Sequence, residues 1–373
     1  MKAGFLIIVL LHGLIHLAGF AKAFGFWEIK NLTLPISKPL GLVWLAATLL
    51  FLIYGILYFL NYNYTWRLGL VALILSQGLI IYFWTDAKFG SLPNFIILLA
   101  ILVSYGNSKF STLVEKETTQ ILLNSEVSNI EIFSEKEIKN LPEPVKKWLA
   151  NSGALGREKT INGKIIQTAK IKMKPEQKNW YSAKAIQYTL VDHPSFIWTV
   201  DLKMNSFLRF RGRDKFLSGK GNMLIKLNSL LTIVDESGEK IDEGTMQRYL
   251  GEMVWFPSLA VSPFVSWNEI NKTTAKATIN YKGTNASGVF YFNEEGDFIK
   301  FIALRFRENT TKAERKEWIL SVDDYSIFEG IKVPSKMKAT WKLDEANWNW
   351  LELEIVNIEY NINPNLLVEK PEY

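Results

Sequence analysis

Four long apolar runs in the first hundred or so residues, at 4–20, 40–60, 68–84 and 92–105, constrain this chain more than anything that follows them. A helix needs about 20 apolar residues to cross a hydrocarbon core roughly 30 Å thick. The second run meets this outright. The first and third are slightly short, and the fourth is shorter still unless residues before Leu92 join it. One such run would also suit a buried helix in a soluble protein. Four in succession, almost free of charge, predict a polytopic bundle. Trp27, Trp44, Tyr62, Tyr64, Trp66, Tyr82 and Trp84 lie near the run ends, where interfacial aromatics sit. Met1-Lys2, the apolar stretch and Ala21-Lys22-Ala23 also mimic a cleavable signal peptide. The length of the stretch and the further spans favour a retained first helix.

Charge divides the chain at the same place. Residues 1–110 carry seven Lys/Arg and two acids, a net of +5, whereas the remainder carries a net of only +1. The second part has no basic stripe, so nucleic-acid binding is not expected. The chain has no cysteine, which removes disulfides, thiolate nucleophiles and Cys-type metal sites. Orientation rests on a tie. Lys2, Arg67, Lys109 and Lys116 share one side of four spans, and Lys22, Lys30, Lys38 and Lys88 share the other. The first loop holds three of these lysines and is the densest cluster. That tilts the expectation to a multi-pass protein of the cell membrane whose soluble domain is extracytoplasmic. The expected organisation is a four-span domain (1–106), a connector (107–133) and a soluble β domain (134–373).

His12 and His16 are at i, i+4 and share one face of the first helix. Intramembrane histidines face the bundle interior. A metal or haem ligand pair is one reading. Interhelical hydrogen bonding to Gln77 or Ser76 is the other, and two histidines without a third ligand favour it. No cofactor is expected.

Beyond the connector, Ser134-Glu-Lys-Glu137 reads as a capping box opening a helix that Leu141-Pro142 ends. Pro144 suits the first turn of a second helix, with Val145, Trp148 and Leu149 on one face and Gly153 as its stop. Here the chain resembles an uncharacterised family of bacterial membrane-attached proteins built on a domain of unknown function. The matching stretches are LPEPVKKWLANSG (141–153), GRDKFLSGKGNM (212–223), MQRYLGEMVWFPS (246–258) and FEGIKVPSKMKATW (328–341). The leader HGLIHLAGFAKAFG (12–25) is similar to that of a subgroup. The resemblance implies no activity and carries over no catalytic residues.

From Gly163 to Asn361 the signal has period two. Phe196, Trp198, Val200, Leu202 and Met204 alternate with more polar residues, and so do Ala275–Tyr281, Met337–Leu343 and Leu351–Ile355. Each is a half-buried strand. Asn162-Gly163, Ser237-Gly238, Glu295-Gly296 and Glu329-Gly330 read as turns. About ten antiparallel strands are expected. One helix interrupts them near 242–255. Met246, Tyr249, Leu250, Met253 and Val254 form its apolar stripe, with Asp242 as N-cap and Pro257 at its end. The expected fold is thus an α+β membrane protein: a four-helix transmembrane bundle followed by a curled antiparallel half-barrel with a plugging helix. That arrangement resembles the bacterial lipoprotein-carrier proteins, a likeness of fold alone.

Candidate ligand-binding residues follow from this architecture. Arg209, Arg211 and Arg213 share one strand face, and Arg305 and Arg307 share another with Phe301 and Ala303. An inward Arg beside apolar residues suits an anionic head group or carboxylate. An outward Arg is solvated or pairs with Asp201, Asp214 or a nearby Glu. Arg248 and Glu252, at i, i+4, flank the helix stripe as a site or as a plain salt pair. Trp198, Trp255 and Trp341 line a cavity or fill a wide core. His193 sits in a turn, and no nucleophile elbow, HExxH, P-loop or GxGxxG occurs. The expected function is a membrane-anchored binding module for a lipid, an acyl chain, a lipoprotein segment or another apolar ligand at the bilayer. The alternatives are a membrane metal protein or enzyme centred on His12/His16 or Arg248/Glu252, and an assembly scaffold using the sheet edge.

Overall fold

A computed structural model describes residues 2–125 and 130–364. It divides into two units, Met1–Thr112 with Asn228–Leu230, and the remainder.

In the first unit, α1 (Lys2–Ile15) and α2 (Leu17–Ala23) are two parts of one apolar stretch, separated at His16. Then come α3 (Lys38–Phe59), α4 (Thr65–Tyr82), the short α5 (Trp84–Ala87) and α6 (Ser91–Leu122), whose last turns belong to the second unit. Four stretches, Lys2–Ala23, Lys38–Phe59, Thr65–Tyr82 and Trp84–Leu122, are long and apolar enough to cross a membrane. The 22 residues of α3 alone rise about 33 Å. Val9, Phe51, Tyr54, Ala72, Leu73, Ile97 and Ile101 form one buried cluster between the helices, and Trp44, Ala47, Leu79 and Phe83 another. Glycine lets the helices approach. A Cβ at Gly19 would lie 2.2 Å from Trp44 Cδ2, and one at Gly69 2.7 Å from Tyr54 Cε2. The opposite faces expose Ile7, Leu11, Leu42, Ile53, Ile74, Ile81 and Leu99, an apolar surface of the kind that lipid covers. Residues 107–122, read from sequence as connector, are helical and continue α6.

The second unit opens with α7 (Glu135–Ile138) and α8 (Glu143–Asn151). The Glu137 carboxylate accepts from the Ser134 backbone N–H at 3.0 Å, as the capping box requires. Val145, Trp148 and Leu149 are the buried face of α8, and Gly153 follows at φ +72. The strands are β1 (Asn162–Ile171), β2 (Tyr181–Leu190), β3 (Ser195–Lys203), β4 (Arg209–Leu217), β5 (Lys220–Leu227) and β6 (Leu231–Ser237). After α9 (Glu239–Gly251) come β7 (Val265–Asn271), β8 (Thr274–Tyr281), β9 (Thr284–Phe292), β10 (Phe298–Phe306), β11 (Arg315–Phe328), β12 (Ile331–Lys342) and β13 (Asn347–Tyr360).

All pair antiparallel in one 13-stranded sheet of order β6-β5-β4-β3-β2-β1-β13-β12-β11-β10-β9-β8-β7. The pairing of β1 with β13 joins two meandering arms, so the chain enters and leaves at the middle of the sheet. Thirteen strands stand where about ten were expected. Edge strands β6 and β7 are mostly exposed, so little burial imprints alternation on them. Asn162-Gly163, expected as a turn, opens β1.

The sheet curls around α9 without closing. The helix packs against β4 and β5 of one arm and β8, β9 and β10 of the other. The arms touch where Thr284 Oγ1 donates to Gly219 O at 2.7 Å. Met246, Tyr249, Leu250, Met253 and Val254 are all buried, as their spacing predicts. Asp242 is not the N-cap. Gly238, at φ +113, precedes the helix, and Asp242 accepts from Gly221 N at 2.7 Å and Lys220 Nζ at 2.8 Å. One rim of the curl is covered by α8, whose Trp148 stacks on Phe292 at 6.0 Å and whose end accepts from Lys332 N through Ser152 O. At the other rim the β1–β2, β10–β11 and β12–β13 loops surround an open cleft lined by Pro175, Arg307, Lys316, Leu343 and Asp344 among others.

Candidate functional site

Strand alternation sorts the arginines onto two faces. On β4, Phe210, Gly212, Asp214 and Phe216 point to the concave side, and Phe216 packs against Tyr249 of α9. Arg209, Arg211 and Arg213 therefore lie on the convex side. Arg213 pairs with Glu117 of α6 at 2.8 Å, Lys215 reaches the same carboxylate at 2.7 Å, and Arg209 pairs with Asp201. Ile121 and Leu122 of α6 pack on Leu190 and Ile197 of that convex face. None of these three arginines reaches the interior.

Arg248 and Glu252 do. Arg248 Nε donates to Glu252 Oε1 at 2.7 Å, Nη1 to Asp214 Oδ2 at 2.8 Å and Nη2 to Gln187 Oε1 at 2.9 Å. Gln187 Nε2 donates in turn to Glu252 Oε2 at 2.7 Å. The guanidinium lies 4.7 Å from the Trp198 ring centroid, and Trp198 Nε1 donates to Gln167 Oε1 at 3.0 Å. Burial pulls the Arg248 pKa down, but Glu252 and Asp214 outweigh it and hold the pKa above its ordinary value. More than a flank salt pair, this is a buried network across α9, β2 and β4.

Arg305 stands beside it on different terms. It shares the concave face of β10 with Phe301 and Ala303. Its guanidinium lies 4.7 Å from the Trp318 ring centroid and 6.0 Å from that of Trp341. It also presses on α9, where a Cβ at Gly244 would sit 2.8 Å from Nε. Among the described residues it makes no hydrogen bond or ion pair. Burial lowers its pKa to about 10, with Asp214 opposing and Arg248 adding to the fall, so it stays protonated at neutral pH. Arg307 lies one residue past β10 at the open rim, paired with Glu308 at 3.4 Å and 5.8 Å from the Trp348 ring centroid.

Around these cations the concave wall is uneven. Trp318, Trp341 and Trp348 are cross-strand neighbours on β11, β12 and β13. Ala169, Ala183, Ala185 and Gly212 face the interior from β1, β2 and β4 and are covered by their neighbours, a Cβ at Gly212 lying 2.8 Å from Val200 Cγ1. Trp198, Trp348 and Trp350 remain half-buried, whereas Trp255 lies in the core and donates to Pro334 O at 3.0 Å. Gln167 Nε2 and the indole nitrogens of Trp318, Trp348 and Trp350 are buried without a hydrogen-bond partner among the described residues. Sequence reasoning missed Gln167 and Gln187, named Asp214 only as a partner for outward arginines, and singled out other tryptophans than Trp318. The alternation of Trp318, Leu320 and Val322 on the strand after Arg305 was a usable signal.

In the first unit His12 Nε2 lies 2.8 Å from Asn94 Oδ1, and His16 Nε2 lies 2.9 Å from Ser76 Oγ. Asn94 Nδ2 donates to Gln77 Oε1 at 3.0 Å, extending the network from α1 to α4 and α6. Among the described residues no third His, Asp or Glu joins the pair. The arrangement bonds helices to one another.

A family profile matches residues 131–353, more than half of the chain. The chain belongs to DUF6544, a family of unknown function. The DUF6544 segment starts ahead of α7 and ends inside β13, so it takes in α9 and all the inward residues described above. No curated protein matches the chain.

Proposed function

We propose that this protein is a membrane-anchored binding module, its four apolar helices spanning the cell membrane and its curled sheet taking a lipid, acyl chain or other apolar ligand at the bilayer surface. One observation carries the reading. The concave face of a large open sheet carries Arg305 against the buried rings of Trp318 and Trp341, with the half-buried Trp348 beside them, and among the described residues no acid pairs with it. A core built only for stability fills such a face with interlocking side chains and pairs its cations. Ligand sites instead join apolar walls to a few placed polar groups.

Native mass spectrometry of the full chain, gently extracted in detergent and then offered oleate and methyl oleate, tests this. The expected result is a co-purifying apolar molecule or stoichiometric uptake of an offered one. Substituting Trp318→Ala should weaken uptake by roughly tenfold, the scale of a lost aromatic wall. A protein that carries nothing and takes up neither probe would overturn the reading.

A further inference from the structure

The two inward arginines are not equivalent. Arg248 has each of its contacts supplied from within: Glu252, Asp214 and Gln187 accept from its Nε, Nη1 and Nη2. Both Glu252 oxygens are taken as well, one by Arg248 and one by Gln187. Three of the five Arg248 N–H groups, and its charge, are thus matched within the protein. Arg305 has aromatic rings on Trp318 and Trp341 and the backbone at Gly244 as neighbours, and no hydrogen-bonded oxygen among the described residues. Rings and backbone carbon hold a guanidinium in place without satisfying its N–H groups. Trp318 is 3 % exposed and Gln167 2 % exposed, and both carry an unpartnered N–H on the same concave side. Unpartnered donors outnumber unpartnered acceptors here, Gln247 Oε1 and Asn349 Oδ1 being among the latter, which calls for a ligand rich in acceptors.

Charge narrows the class. Asp214 and Glu252 against Arg248 and Arg305 sum to zero, so a carboxylate head adds one charge to the site and a dianionic head two, at a steeper cost in a partly dry site. A single planar oxyanion matches the fork of one guanidinium, with two parallel N–H···O bonds. The aromatic wall of Trp318, Trp341 and Trp348 calls for an apolar remainder of the ligand. We infer that Arg305 reads the head group, and that the ligand is a single apolar chain ending in a carboxylate, of fatty-acid type. This rests on the binding reading above and specifies which residue discriminates and what it selects.

The test compares oleate, methyl oleate and dioleoyl phosphatidylglycerol on the full detergent-purified chain by native mass spectrometry, for wild type, Arg305→Gln, Arg305→Lys and Arg209→Gln. Wild type should favour oleate over its methyl ester by about tenfold or more, the scale of a charge-assisted pair. Arg305→Gln should bring that ratio to about one while methyl ester uptake holds. Arg305→Lys keeps the charge but loses the fork, so it should lie between, and it serves should the Gln variant fail to fold. Arg209→Gln, on the convex side and paired with Asp201, should behave as wild type. Equal uptake of acid and ester by wild type overturns the head-group inference and leaves the binding reading standing. So does a preserved acid preference in both Arg305 variants, or a preference for the phospholipid over oleate. Uptake of none of the three probes overturns both.

Discussion

Arg248, Asp214, Glu252 and Gln187 are mutually dependent, because each is buried or nearly so and each satisfies another. Removing one partner strands the rest. Glu252→Ala should therefore lower stability by about 3 kcal/mol, read as a shift in detergent-phase thermal or denaturant unfolding followed by tryptophan fluorescence. A change below about 0.5 kcal/mol, typical of an exposed pair, would contradict the network. Glu137 offers a pH test. Burial pushes its pKa up, but Lys159 and the Ser134 N–H pull harder and leave it below the ordinary value of 4.5. A depressed carboxylate contributes stability that is present above its unfolded-state value and lost as pH falls through its folded-state value. Glu137→Gln should thus be less stable than wild type near neutral pH, and the difference should shrink as pH falls below the ordinary carboxylate range.

The pairing partner of a single residue is where sequence reading stops. The spacing of Arg248 and Glu252 placed both on one side of a helix. That Asp214 and Gln187 meet them depends on two strands, β4 and β2, folding over that helix from more than thirty residues away.

Among elements, α9 and the first-span helices were legible because a period of 3.6 needs only local sequence. Met246, Tyr249, Leu250, Met253 and Val254 are buried as spaced. Period two is less informative. It says that Arg209, Arg211 and Arg213 share a face and that Arg305 lies with Phe301 and Ala303, yet not which face is concave. Both sides of β4 carry residues that tolerate burial, since α6 covers part of the convex side. How closely α9 approaches the sheet was equally hidden. A Cβ at Gly251 would stand 2.8 Å from Phe301 Cδ1 and 2.9 Å from Leu320 Cδ1. Gly251→Val should cost roughly 2 kcal/mol by overpacking, measured by the same unfolding assay. In the bundle, Ser76 is shared by His12, His16 and Asn94. Ser76→Ala should destabilise the protein by about 1 kcal/mol, the scale of interhelical bonds in lipid.

For the molecule as a whole, the absence of native cysteine makes topology directly measurable. With four spans, single cysteines at Lys30 and Lys276 should label from opposite sides, and the proposed orientation puts position 276 outside the cell membrane. Labelling of both from one side would remove the even-numbered span arrangement; labelling of 276 from within alone would reverse the orientation. By itself the sequence determined that the chain opens with membrane-length apolar helices, that an antiparallel sheet follows, and that one amphipathic helix interrupts it. Those are short-range patterns of hydropathy, turn chemistry and capping. Only the tertiary structure decided that β1 meets β13, that two arms wrap α9, and that Arg305 alone among the candidate arginines faces inward without an acid. Such choices depend on contacts between residues far apart in sequence, where burial and charge are shared among strands that no local period connects.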